Sequence, residues 1–206
     1  FLDKPIIYYP IKSAIRSNLF DEIMVSTDDE KIASISKKFG ANIPFMRSKE
    51  TSSDTATTYS VIEEVITNYE KIDLKFNYVC CLYPTSPLTS SENLIEAFDK
   101  LVNNKFDSIF SVTDFSHPIE RAMKFKDGKI NFINEKKSLI RTQDIERSYH
   151  DAGQFYWLDI SKIICKKKLI TSNSSAIVIS RGETEDIDDE DDWNIAEIKF
   201  RMINKN

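Results

Sequence analysis

The segment Asp186-Ile187-Asp188-Asp189-Glu190-Asp191-Asp192 holds the sharpest concentration of carboxylates in the sequence. Asp186 and Asp188 stand two apart directly after a predicted strand, so in extended backbone both side chains project to one side. Two convergent carboxylates completed by substrate phosphates suit magnesium, an ion that prefers oxygen ligands and keeps several waters. The same run also reads as a solvated acidic loop before the last helix, with Asp191 and Asp192 set against the positive end of its dipole. Composition alone favours that second reading. An EF-hand has little support, because the loop lacks the glycine required at its sixth position.

Two hydroxyl-rich turns are further candidates. Ser26-Thr27-Asp28-Asp29 and Pro84-Thr85-Ser86-Pro87 each follow a predicted strand. Each reads either as a local device, a helix cap or a rigid turn, or as a set of hydroxyls and free N–H groups that binds phosphate or a base. Arg141-Thr142-Gln143-Asp144 and Tyr149-His150-Asp151-Ala152-Gly153-Gln154 add polar groups, among which Arg141 could pair bidentately with a carboxylate or simply sit on the surface. With two histidines, and no serine or cysteine in a nucleophile motif, a catalytic triad has little support.

These groups must be placed by an alternation of short β-branched runs and longer amphipathic stretches. Ile6, Tyr9, Ala14 and Ile15 predict a first helix with Pro5 in its first turn. Glu22–Ser26 predicts a strand, followed by Thr27 and Glu30 at capping-box spacing, a helix carrying Ile32, Ile35 and Phe39, and a stop at Gly40. Val61, Ile62, Val65 and Ile66 stripe a helix from about Thr55 to Asn68. Tyr78–Leu82 reads as a strand covered on both faces. Leu94, Phe98 and Leu101 mark the next helix and Ser108–Val112 the next strand. From about His117 to Tyr149 the pattern turns irregular and polar, with a hairpin turn at Lys126-Asp127-Gly128-Lys129, and this stretch reads as an insertion in a single domain. Strands resume at Gln154–Leu158 and Ala176–Ser180, and a helix from about Trp193 to Ile203 follows. Repeated β-α alternation predicts a mostly parallel sheet with helices on both faces, whose ligands gather at the carboxyl ends of the strands.

Composition narrows the classes. The net charge of −5 argues against a nucleic-acid partner, which demands a basic face. The cluster Lys166-Lys167-Lys168 reads as a solvated face. No apolar stretch reaches the ~20 residues of a membrane span. Cys80 and Cys81, as strand neighbours, point to opposite faces, so buried free thiols in a reducing cytoplasm are expected.

The order of the motifs resembles the CMP-sialic acid synthetase family of sugar nucleotidyltransferases. The matching residues are Val25-Ser26-Thr27-Asp28-Asp29, then Arg47 with Ser53-Asp54-Thr55-Ala56, then Leu82-Tyr83-Pro84-Thr85-Ser86-Pro87-Leu88, and Asp186-Ile187-Asp188 ahead of Trp193 and Ala196-Glu197. Arg141-Thr142-Gln143-Asp144 and Tyr149 to Trp157 look most like the branch that acts on pseudaminic acid. The resemblance implies a three-layer α/β, Rossmann-like nucleotidyltransferase fold spanning 1–206, with an insertion at about 115–152 that mediates a homodimer. It implies transfer of CMP from CTP to an acidic nine-carbon keto sugar in the cytoplasm, with Mg2+ held by Asp186 and Asp188. Arg47, Ala56 and Thr58 match positions around the cytidine, Ala56 through its backbone, and Asp54 organises that loop. Tyr83, Thr85, Arg141, Gln143 and Gln154 are the expected sugar contacts, Arg141 serving either the sugar carboxylate or the dimer interface. N-acetylneuraminate, legionaminate or a keto-deoxy sugar acid are the alternative substrates, and a non-catalytic nucleotide-binding relative is the alternative class. The family's Gly-rich phosphate loop is not in this sequence, and an upstream segment carrying it is expected.

Overall fold

A computed structural model describes residues 1–138 and 140–204. Helix α1 (Tyr8–Ser17), α2 (Glu30–Phe39) and α3 (Thr58–Glu70) precede strand β1 (Tyr78–Leu82), α4 (Ser91–Asn104) and β2 (Ser108–Asp114). The hairpin β3 (Met123–Lys126) and β4 (Lys129–Phe132) and the short α5 (Glu135–Ser138) follow. The chain continues through β5 (Tyr149–Asp159), α6 (Ile160–Lys166), β6 (Ser174–Val178) and α7 (Glu190–Ile203).

The main sheet has the order β1-β5-β2-β6. Strands β1, β2 and β6 run the same way, and β5 runs against them, antiparallel to both its neighbours. Alternation on the strands divides the core in two. Tyr78, Cys80 and Leu82 of β1 join Phe155 and Trp157 of β5 under α4, whose Leu94, Ala97 and Leu101 are buried there. Val79 and Cys81 join Tyr156 and Leu158 on the other face, against Ile62 and Ile66 of α3 and Ile163 of α6. The two cysteines thus point to opposite faces, both thiols are free, and burial pushes them up, Cys81 to about 11.

Several local expectations are corrected. Pro5 lies outside α1, where Pro10 occupies the first turn, a place in which a missing N–H breaks no helical bond. Residues 22–26 do not form a ladder: a single parallel bridge joins Met24 to Asn42, flanked by Val25 N–H to Asn42 O at 3.0 Å and Asn42 N–H to Ile23 O at 2.8 Å. Asp29, not a Thr27–Glu30 box, caps α2, accepting from the N–H groups of Lys31 and Ile32. The buried positions of α2 are Ala33 and Ser36, and Ile32 is exposed. Helix α3 starts at Thr58 because the Thr57 hydroxyl accepts from Ser60 N–H, which leaves Ala56 in the loop. Strand β6 ends at Val178, two residues earlier than expected, and α7 begins at Glu190, three residues earlier, because Asp189 and Asp192 form its capping box.

Lys166 is not simply solvated. It pairs with Asp107, which is 2% exposed and also accepts from Thr171 Oγ1 at 2.6 Å and Asn173 Nδ2 at 3.1 Å. Burial alone would raise the Asp107 carboxyl, but these donors hold it down at about 2. Its backbone bonds to Asn173 and Asp159 tie β2 to the entry of β6 and the end of β5. Because the folded pKa lies below the ordinary ~3.9 of an unfolded aspartate, this stabilisation is complete above pH ~4 and is lost as pH falls toward 2. Asp107→Asn is therefore expected to lower unfolding free energy by about 2 kcal/mol at neutral pH. In urea titrations that deficit should shrink between pH ~4 and 2. A deficit that stays constant over that range would count against the charged role.

Candidate active site

The carboxyl ends of β1, β2 and β6 meet the amino-terminal half of β5 at one end of the sheet. There β5 is irregular. Phe110 pairs with Tyr156 but Val112 pairs with Asp151, so β5 carries three more residues than β2 across the same step. The bulge centres on Gly153, whose φ of +62° is a left-handed conformation that side-chain-bearing residues rarely adopt.

The acidic segment packs against this bulge. After β6 the chain makes a short turn at Arg181–Glu183, so Asp186 does not follow the strand directly as expected. Gln154 Nε2 donates to Glu183 O at 2.6 Å, and Thr184 Oγ1 donates to Ala152 O at 3.0 Å. Asp186 Oδ1 lies 3.7 Å from the point where a Cβ on Gly153 would stand. From α7, Lys199 Nζ donates to Thr184 O at 2.7 Å and pairs with Glu185. The run then divides by role. Asp189 and Asp192 are engaged in capping α7, with Asp192 Oδ2 also accepting from Asp188 N–H at 3.1 Å. The carboxylates of Asp186 and Asp188 remain exposed. The capping reading of the acidic run is thus realised by Asp189 and Asp192, and Asp186 and Asp188 are left out of the cap's side-chain bonds.

Among the described residues no group of three or more His, Cys, Asp and Glu side chains is arranged to hold a metal ion by itself. Two exposed carboxylates are a donor set that fits magnesium, whose remaining positions go to water and phosphate oxygens. They do not suit a structural zinc site, which needs four ligands drawn largely from Cys and His.

The second group forms around Arg47. Its Nε donates to Ser26 Oγ at 3.0 Å and its guanidinium to Ser26 O at 2.6 Å, while Arg47 N–H donates to Thr27 O at 2.9 Å. Two motifs far apart in sequence are thus joined side by side. Glu64 of α3 braces the following turn by accepting from Ser48 N–H at 2.9 Å, Ser48 Oγ at 3.0 Å and Thr51 Oγ1. Burial opposes ionisation of Glu64, but these bonds and the nearby Arg47 charge draw its pKa down. Ala56 N–H donates to Ser53 O at 3.0 Å, and Asp54 is exposed on that loop.

Tyr83 stands between α3 and β5. Its hydroxyl lies 3.1 Å from Thr58 Oγ1, and its N–H donates to Gln154 O at 3.0 Å. Its ring packs on Tyr156 at 5.7 Å. The Tyr156 hydroxyl donates to Asp151, and burial together with that carboxylate raises its pKa. Thr85 is exposed on the turn closed by Ser86 N–H and Oγ, both donating to Tyr83 O.

Gln154 departs from expectation. It is 2% exposed, with Nε2 engaged by Glu183, so its side chain is closed off from a sugar in solvent. Arg141 and Gln143 are exposed, and Arg141 O accepts from Asp144 N–H at 2.9 Å. No described contact joins either to the Arg47 or the Asp186 group. Reasoning from sequence missed Glu64, Asp151, Tyr156, Thr184 and Lys199. Only Asp151 and Tyr156 carried a signal, since both lie inside a motif already singled out.

Residues 1–179 match the family model described as Cytidylyltransferase. Pseudaminic acid cytidylyltransferase of Campylobacter jejuni is 34% identical over 98% of this chain and 88% of its own length. CMP-N,N'-diacetyllegionaminic acid synthase of Legionella pneumophila is 28% identical over 98% of this chain and 87% of its own. Among solved structures, CMP:2-keto-3-deoxy-manno-octonic acid synthetase complexed with CTP superposes with a TM-score of 0.67 at 12% identity, covering 98% of this chain and 89% of that one. That likeness establishes the Rossmann-like nucleotidyltransferase fold.

Proposed function

Because this chain belongs to the cytidylyltransferase family, we propose that it transfers CMP from CTP to the anomeric hydroxyl of pseudaminic acid. The hydroxyl oxygen bonds to the α-phosphorus, the bond from that phosphorus to the bridging oxygen breaks, and pyrophosphate leaves. The identity to pseudaminic acid cytidylyltransferase over nearly the full chain carries the reading.

Such a transfer depends on positioning and charge neutralisation rather than on covalent help. The Arg47 group binds the cytidine end: Ala56 through its backbone, Thr58 through its hydroxyl, with Asp54 shaping the loop. Asp186 and Asp188 hold Mg2+ at the triphosphate end, and the ion, when bound, neutralises phosphate oxygens. Tyr83 and Thr85, between the two groups, face the sugar. Arg141 and Gln143 complete the sugar site from the insertion at about 115–152, Arg141 toward the sugar carboxylate. No helix among the described residues is long and apolar enough to cross a membrane, and we place the reaction in the cytoplasm.

The test is pyrophosphate release with CTP, Mg2+ and, in parallel, pseudaminic, N-acetylneuraminic and legionaminic acids, using protein encoded by the complete gene. Release with pseudaminic acid alone supports the reading. Release with another acid keeps the chemistry and moves the substrate, and none with any acid points to a non-catalytic relative.

We also propose a homodimer through the β3–β4 hairpin. Asp127 and Gly128 turn it tightly with positive φ, and it presents Met123, Phe125, Ile130 and Phe132 to solvent, Phe125 at 75% and Ile130 at 60% exposure. So apolar a face marks an association surface. A charge at its centre in Phe125→Asp is expected to convert the dimer to a monomer in light scattering. A dimer of unchanged mass would sink this assignment.

A further inference from the structure

The stretch from Thr184 to Ile187 has no regular secondary structure of its own, yet together with Glu183 before it, it is tied to its surroundings at four points. Gln154 Nε2 holds Glu183 O, Thr184 Oγ1 holds Ala152 O, and Lys199 holds both Thr184 O and Glu185. The two anchors on β5 flank Gly153, the residue Asp186 approaches. Gln154 is an odd choice for stability, since its Oε1 is buried without a hydrogen-bond partner among the described residues, and such an atom costs the fold rather than helping it. The amide is explained by its other end, the bond to Glu183.

We infer that Gln154 and Thr184 are positioning residues for the metal-binding carboxylates, a latch that fixes the Glu183–Asp186 backbone on the β5 bulge and so sets Asp186 in register with Asp188. The inference rests on the magnesium reading above. With the latch intact, the segment is ordered before the cation arrives. Without it, cation binding must do the ordering and is weakened accordingly. Partners that orient metal ligands from behind typically alter affinity by about 10- to 100-fold.

The probe is Mn2+, with the free ion counted by electron paramagnetic resonance on the intact protein without CTP or sugar. Gln154→Met removes the donor at similar volume, Thr184→Val removes the hydroxyl, and Thr184→Ser keeps it. Gln154→Met and Thr184→Val are expected to weaken Mn2+ binding roughly 10-fold. They should raise the Mg2+ concentration for half-maximal pyrophosphate release in proportion, with the KM for CTP unchanged and the thermal midpoint little moved. Thr184→Ser should behave as the parent. Unchanged Mn2+ binding in both variants, or losses that scale with falling thermal midpoints, or a Thr184→Ser protein as weak as Thr184→Val, would overturn the latch. A parent protein whose Mn2+ binding is indifferent to Asp188→Asn overturns the metal reading itself, and this inference with it. The two failures are thereby told apart.

Discussion

Asp188→Ala is expected to reduce turnover at least ~100-fold, the scale of removing a major electrostatic stabiliser from a transition state. Asp188 is exposed, and only its backbone N–H is engaged in the α7 cap, through Asp192. Removing its carboxylate therefore leaves Asp189, Asp192 and the capping box in place. The protein should keep its helix and its stability and lose its charge-neutralising group. Pyrophosphate release measured across a Mg2+ titration checks this, and near-normal, Mg2+-dependent turnover would reject the assignment. A parallel Asp191→Ala protein, altered in the same acidic run but outside the pair, is expected to remain active. That contrast separates a specific pair of carboxylates from a general acidic field.

Arg47→Met should act at the other end of the substrate. The guanidinium makes two hydrogen bonds to Ser26 and carries the positive charge that helps draw Glu64 down. A charge-assisted hydrogen bond from the guanidinium to the nucleotide, worth about 1.5–3 kcal/mol, predicts that its loss raises the KM for CTP roughly 10- to 100-fold. Arg47→Lys should recover little, because an ammonium cannot reproduce the planar fork. The Mg2+ requirement should stay where it was, since the Asp186 group is anchored to β5 and α7. Steady-state kinetics with CTP varied at saturating sugar acid give the answer. An unchanged KM for CTP would remove Arg47 from the nucleotide site.

These two variants probe the two ends of the proposed site, and the ends were not equally legible. The acidic pair was readable only as a candidate: oxygen donors two apart suit a hard divalent cation, while composition alone favoured a solvated acidic loop. The helices with clean 3.6-residue stripes, over α3 and α4, were also readable, and β1 with them, because continuous apolar runs and the alternation on either side of Cys80 and Cys81 report burial directly. Helix starts were less so. Asp29 and Thr57 outcompeted neighbouring caps, and which hydroxyl or carboxylate reaches the first free N–H depends on backbone angles that residue type does not state. The extended stretch at Ile23–Val25 had the composition of a strand, but a ladder needs a neighbour, and the neighbour is a tertiary fact.

The sequence by itself determined the α/β class, the two-faced core and the residue types available for phosphate and cation chemistry, because periodicity and side-chain chemistry are local properties. Only the tertiary structure decided that Ser26 meets Arg47, that Tyr83 stands between Thr58 and β5, and that Gln154 is buried behind the acidic segment instead of facing a sugar. The physical reason for the last of these is that Gln154 lies in the irregular stretch of β5 between its pairings at Tyr156 and Asp151, where its amide is held by the carbonyl of Glu183, far away in the sequence, and no local pattern records that meeting.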